Sequence, residues 1–239
     1  MPSFNSGTVE PLPVFQPVAT VDGWVLEDLS EAVFAQGKQN DVPLIAGTNR
    51  DEGTMFRQFF PARTAEAFRK TTRDLYGEHA DEILALYPAD SDVELAETLN
   101  RYLTDTWFVR ATRGMLRGMG KVSSPAYQYH FTRTSRAVPA LGAHHAAELG
   151  YVFNTLAPTN LEDTDHQLAE AMISFWVQFA TSGNPNREGL PEWPAWEPAG
   201  DQYLELGDKI EVGTALNKEA TETLDRIRTA ELEAHPESD

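Results

Sequence analysis

Apolar and polar positions along the 239-residue chain alternate between helical and strand-like periods, and they predict the elements in turn. From Pro11 to Gly37, Pro, Gly and Val interrupt short apolar pieces, which predicts an irregular surface segment leading into the fold. Pro43-Leu44-Ile45-Ala46-Gly47-Thr48 is a compact apolar run that breaks abruptly into Asn49-Arg50-Asp51-Glu52-Gly53. Continuous apolarity over so few residues, ended by turn formers, predicts a strand buried on both faces. Helical segments follow, one ending at Leu75 and Gly77 and another closed by Pro88. Ser91-Asp92-Val93-Glu94 fits a capping box, and Leu95, Leu99, Tyr102 and Leu103 recur at helical spacing, predicting an amphipathic helix toward Gly118.

After Ser124-Pro125, the segment Ala126 to Phe131 puts Tyr127, Tyr129 and Phe131 on one face, the period-two pattern of a strand. A loop holding Gly142-Ala143-His144-His145 comes next. Thr164-Asp165-His166-Gln167 reads as a second capping box, opening a helix whose Leu168, Met172, Phe175 and Phe179 share a face and which Ser182-Gly183-Asn184-Pro185 stops. Trp193, Trp196 and Tyr203-Leu204-Glu205-Leu206 lead into a strand pair around Gly207-Asp208, and the polar tail from Ala230 is expected to fray. No repeat or linker divides the chain, so residues 1–239 read as part of one α/β domain.

Composition narrows the function classes. The chain is 41% hydrophobic and 23% charged, an ordinary globular balance. No stretch reaches the roughly 20 apolar residues that span a bilayer, and the polar start MPSFNSGTVEPLPVF lacks the layout of a signal peptide. A membrane partner is therefore not expected. The cytoplasm is the default compartment, with a signal peptide on a longer precursor the alternative. A formal charge of −18 repels phosphate backbones and anionic lipid, which argues against nucleic acid and leaves small neutral substrates open. With no cysteine there is no disulfide, thiolate metal site or cysteine nucleophile. There is also no His-Glu-x-x-His, so neither a metal nor another cofactor is expected.

Two residues stand where open α/β sheets carry their reactive groups, just past the carboxyl ends of strands. Glu52 follows the first predicted strand and His145 the second. A carboxylate that holds a histidine Nδ1 leaves Nε2 free to take a proton from a hydroxyl, the division of labour in acyl transfer. On spacing alone, a solvated acidic turn and a structural histidine fit the same positions.

The phrases around these residues carry more. QNDVPLIAGTNRDEGTMF, Gln39 to Phe56, resembles the type-B carboxylesterases, the family of the cholinesterases and bacterial para-nitrobenzyl esterases, whose triad acid is the glutamate of the Asp-Glu-Gly turn. His145-Ala146-Ala147-Glu148-Leu149-Gly150-Tyr151-Val152-Phe153 is similar to the phrase that carries the family's triad histidine, with Gly150 where proline is usual and Asn154 where glycine is common. FWVQFATSGNPN, Phe175 to Asn186, and WPAWEP, Trp193 to Pro198, follow in the family's order. The resemblance runs from about Phe15 to about Leu216.

The resemblance implies the C-terminal portion of an α/β-hydrolase fold: two late parallel strands, covering helices and a terminal strand pair. It implies a carboxylic ester hydrolase in which Glu52 is the triad acid and His145, not His144, the base. It also implies an absence, because the family's nucleophile sits in a Gly-x-Ser-x-Gly elbow and no serine here has that setting. The serine and oxyanion hole are expected on an upstream or separate stretch, so that this chain alone is inactive. The expected partners are a small-molecule ester and either that complementary half or a second copy bound through an exposed sheet edge. Phe56, Tyr151 and Phe153 flank the two positions and are candidate pocket walls, with burial in the core the competing role. Asp51 reads as a turn residue, His144 as a solvated neighbour and His130 as structural, while Glu148 either braces the histidine loop or is exposed. Readings from other classes are a non-catalytic α/β-hydrolase-like binding module and a truncated relic.

Overall fold

The computed structural model describes residues 20–234. In chain order its elements are helix α1 (Ser30–Gln36), strand β1 (Leu44–Asn49), helices α2 (Ala65–Tyr76), α3 (Ala80–Leu86), α4 (Asp92–Leu103) and α5 (Arg110–Met119), strand β2 (Ala126–Phe131), helices α6 (Leu149–Val152) and α7 (Asp163–Ser182), strands β3 (Gln202–Leu206) and β4 (Ile210–Thr214), and helix α8 (Lys218–Ala234). The strands form one sheet in the order β1-β2-β3-β4. β1, β2 and β3 are parallel and β4 returns antiparallel to β3, which matches the two late parallel strands and terminal pair expected.

Both faces of the sheet are covered, as the continuous apolarity of β1 requires. Register places Ile45 beside Tyr127 and Gly47 beside Tyr129, with Leu204 next in line. Tyr127, Phe131, Leu204 and Leu206 pack with Leu168, Met172 and Phe175 of α7 and with Trp193, whose indole donates to the Gln128 carbonyl at 2.9 Å. Full burial of a side chain the size of Phe175 contributes roughly 2–3 kcal/mol. The opposite face sets Ala46 and Ala126 against Leu116 and Met119 of α5 and against Trp196. A third core, centred on Phe68, Ile83, Leu99 and Leu103, joins α2, α3 and α4 and takes Leu224 and Ile227 from α8.

Four local expectations change. The segment before Gly37 contains α1, seated where the Phe34 carbonyl lies so close to Gly118 of α5 that only glycine fits there. The amphipathic helix toward Gly118 is interrupted by a π-helical turn, Thr104–Val109, between α4 and α5. The second capping box lies two residues earlier than the sequence pattern places it: Glu162 is the N-cap, and Asp165 reaches back to its backbone N–H at 2.8 Å. The first box is present where expected, with the Glu94 carboxylate accepting from the Ser91 N–H at 3.1 Å. Finally, α8 carries the chain through Ala234, so the first part of the tail expected to fray is helical, and the rest lies outside the described residues. The same holds for the start of the chain up to residue 19.

Candidate active site

β1 and β2 run parallel and in register from Leu44/Ala126 to Asn49/Phe131, so the segments that leave their carboxyl ends emerge side by side. The turn after β1 is a short 3-10 helix, Glu52–Met55. It is pinned against the junction of α4 and the π turn. Gly53 donates its N–H to Thr104 Oγ1 at 3.0 Å, and Thr54 Oγ1 donates to Asn100 Oδ1 at 3.1 Å. A Cβ on Gly53 would fall 2.3 Å from the Asn100 carbonyl oxygen, so this close seat requires glycine.

The loop after β2 comes back to the same place. Asp51 and His144 form an isolated parallel bridge, with the Asp51 N–H donating to the Ala143 carbonyl at 3.0 Å and Asp51 Oδ2 accepting from the Ala143 N–H at 2.8 Å. Asp51 Oδ1 accepts from Asn100 Nδ2 at 2.9 Å. Asp51 is therefore more than the turn residue expected: it ties the histidine loop to the acid turn and to α4.

Across this junction Glu52 and His145 meet. His145 Nδ1 lies 2.6 Å from Glu52 Oε2, although 93 residues separate them in sequence. The other carboxylate oxygen, Oε1, accepts from the Asn49 N–H at 2.9 Å. Glu52 is 5% exposed whereas the His145 side chain is 44% exposed, so the acid is sheltered and the imidazole reaches outward. Burial pushes the Glu52 carboxyl above its ordinary range, against the lowering effect of the Asn49 N–H and of His145. With Nδ1 engaged, the proton-transfer position left to the imidazole is Nε2.

Aromatic rings flank the imidazole. Phe56 meets it edge-on at 5.2 Å between ring centres, and Phe108, from the π turn, lies at the same distance on a tilted plane. Of the three expected pocket walls only Phe56 is brought to His145. Tyr151 is a core residue, packed on Phe131 at 5.2 Å with its hydroxyl donating to Asp165 Oδ1 at 2.7 Å, and Phe153 is 69% exposed. Glu148 does brace the histidine loop, since its Oε2 accepts from Asn49 Nδ2 at 2.5 Å. His130 is 8% exposed in β2, and His144 Nδ1 lies 2.9 Å from the His145 carbonyl oxygen.

Sequence reasoning misses Phe108 and the part played by Asn49. Phe108 belongs to a helix more than 30 residues from either phrase, and nothing local marks it. Asn49 carries a signal, as a polar residue closing a buried strand. Among the described residues no group of three His, Asp or Glu side chains is placed to hold a metal ion, and no helix is long and apolar enough to cross a membrane.

The same fold is found in solved esterases. A structure of a PNB esterase superposes with a TM-score of 0.66 at 28% identity over 81% of this chain and 40% of the other, and a thermophilic PNB esterase does so with the same score at 27% identity. In sequence the chain is 29% identical to fumonisin B1 esterase of Sphingopyxis macrogoltabida, over 82% of this chain and 38% of that protein. It is also 29% identical to para-nitrobenzyl esterase of Bacillus subtilis (strain 168), over 83% of this chain and 40% of that protein. The chain thus spans about two fifths of the length of the curated relatives it matches. The model of the carboxylesterase family matches residues 4–224, and with the fold in agreement the chain belongs to the carboxylesterase family.

Proposed function

We propose that this chain supplies the acid, Glu52, and the base, His145, of a serine ester hydrolase, and that the nucleophile and oxyanion hole come from residues outside these 239. The observation that carries the reading is the 2.6 Å contact between His145 Nδ1 and the sheltered Glu52 carboxylate, which leaves Nε2 for proton transfer on a side chain that is partly exposed. In the reaction, a serine hydroxyl attacks the ester carbonyl while His145 Nε2 takes its proton. The imidazolium then returns that proton to the leaving alcohol. Glu52 fixes the tautomer and stabilises the charged ring. Phe56 and Phe108 form apolar walls beside the ring that favour an uncharged ester.

The edge of the sheet supports this reading. Among the described residues β1 is the outer strand, and its Leu44 N–H and the Arg50 N–H just beyond its end donate toward β2, so by alternation the odd-numbered amides face the edge away from β2. Asn49 is one of these, and its N–H is taken by Glu52. A complementary segment pairing in parallel with β1 at Ile45 and Gly47 would place its own carboxyl end beside the acid and base.

The test is complementation. The chain alone is expected to hydrolyse para-nitrophenyl acetate no faster than its His145→Ala variant. Mixed with the N-terminal part of a related para-nitrobenzyl esterase, it should gain an activity that His145→Ala or Glu52→Gln lowers at least ~10³-fold. Complemented activity that survives His145→Ala would overturn the reading.

A further inference from the structure

Asn49 touches both halves of the pair described above. Its backbone N–H donates to Glu52 Oε1 at 2.9 Å. Its side-chain Nδ2 donates to the His144 carbonyl at 2.7 Å, the peptide group joined directly to His145, and to Glu148 Oε2 at 2.5 Å. The residue is 1% exposed, and its remaining side-chain atom, Oδ1, is buried without a hydrogen-bond partner.

The two acceptors facing Nδ2 fix the orientation of the amide. Turned over, the group would set Oδ1 against a carbonyl and a carboxylate, three acceptors together, and lose both bonds. The observed orientation accepts one unsatisfied buried oxygen in order to supply two donors to the histidine loop. An apolar residue at this position would remove the donor shared by the His144 carbonyl and Glu148 Oε2, so packing alone does not account for asparagine here.

We propose that Asn49 is a positioning residue that, with Glu148 as its anchor, sets the distance between Glu52 and His145. Glu148 lies three residues beyond His145 at the start of α6, so the two bonds from Nδ2 grip the histidine loop on both sides of the imidazole. The same residue presents its backbone N–H to the acid, and a shift of the loop is thereby tied to a shift of the carboxylate. Asn49 acts through Glu52 and His145 rather than on a substrate, and its role as a positioning residue rests on the acid–base reading of those two.

The test exchanges donor for acceptor in the 239-residue chain, reading the His145 Nδ1–H proton by NMR. In the unaltered protein that proton should appear as a protected low-field resonance that Glu52→Gln displaces. Asn49→Asp keeps the shape but removes both donors and should abolish the resonance. Adding Glu148→Gln supplies an amide that donates to the carboxylate introduced by Asn49→Asp, regaining the bond to residue 148 but not the one to the His144 carbonyl, and should restore the resonance in part, while Glu148→Gln alone, still an acceptor for Asn49 Nδ2, should leave it in place. Amide dispersion in the same spectra shows directly that Asn49→Asp is folded. A resonance unmoved by Asn49→Asp, or lost in the folded double variant, would overturn the positioning role and leave the acid–base pair standing. Its absence from the unaltered protein would overturn both.

Discussion

Gly142 and Asp51 approach so closely that a Cβ built on the glycine would fall 2.2 Å from Asp51 Oδ2, the oxygen that accepts the Ala143 N–H. Gly142 also has a φ of 64°, in the left-handed region. Two independent constraints therefore meet at the residue that begins the histidine loop.

Gly142→Ala is accordingly expected to cost about 2–4 kcal/mol, from strain at positive φ together with displacement of a hydrogen-bonded carboxylate. A urea unfolding midpoint lowered by that amount is the measurement. Gly77 is the internal control, since it too has a positive φ, 50°, but no atom within reach of an added Cβ. Gly77→Ala should show the strain alone, and a Gly142→Ala effect no larger than that of Gly77→Ala would remove the contact with Asp51 from the explanation.

How much of this is legible in the sequence follows the range of the interactions. β1, β2 and the strand pair after Trp196 are readable because apolar runs and alternation are local consequences of burial. α7 is readable from its apolar stripe, yet its capping box is displaced from the pattern, because Asp165 is drawn into a cluster with Arg133 and Tyr151 that spans 32 residues. Glu52 and His145 are readable because each sits in a phrase that resembles a family, and the structure brings those two side chains together. The bracket formed by Asn49 and the wall formed by Phe108 depend on contacts between segments far apart in sequence, which no local pattern encodes.

Arg133 gathers three carboxylates where the end of β2, the start of α7 and the β3–β4 turn converge. Nε donates to Asp165 Oδ1 at 2.7 Å, and the terminal nitrogens donate to Asp208 and Glu162, each at 2.6 Å. Burial pushes the Asp165 carboxyl up, but the hydrogen bonds from Arg133, the Glu162 N–H and Tyr151 outweigh it and hold the carboxyl down at about 2. A carboxyl depressed in the folded state stabilises above its unfolded value, near 3.8, and that stabilisation is lost as pH falls toward the folded value. Between pH 5 and pH 3 the loss from this group is about 1 kcal/mol. Asp165→Asn should be less stable at neutral pH, because Arg133 loses its best partner, but should flatten this acid limb. Parallel urea curves for the two proteins across that interval would count against the assignment.

A second acid-sensitive group acts at higher pH. His130 lies in β2, 8% exposed, with its ring at right angles to Tyr203 at 5.9 Å and its Nδ1 without a partner. Burial lowers its pKa from 6.5 to about 4; the Thr48 backbone and Asp51 oppose this, and the Arg50 guanidinium adds to it. The ring is therefore neutral in the folded protein at pH 7. An unfolded chain takes up a proton near pH 6.5 and the folded one only near 4, so stability falls as pH drops through that window. From pH 7 to pH 5 the loss is about 2 kcal/mol. Glu52 works in the opposite sense, since a carboxyl raised by burial is stabilising below its unfolded value and loses that contribution as pH rises through its folded value. The net slope of the protein thus mixes the two, and the difference between the protein and its His130→Gln variant cancels the Glu52 part. That difference in unfolding free energy should change by about 2 kcal/mol between pH 7 and pH 5, in favour of the variant at the lower pH. A difference that stays constant across the window would show that His130 is protonated as readily in the folded protein as in the unfolded chain.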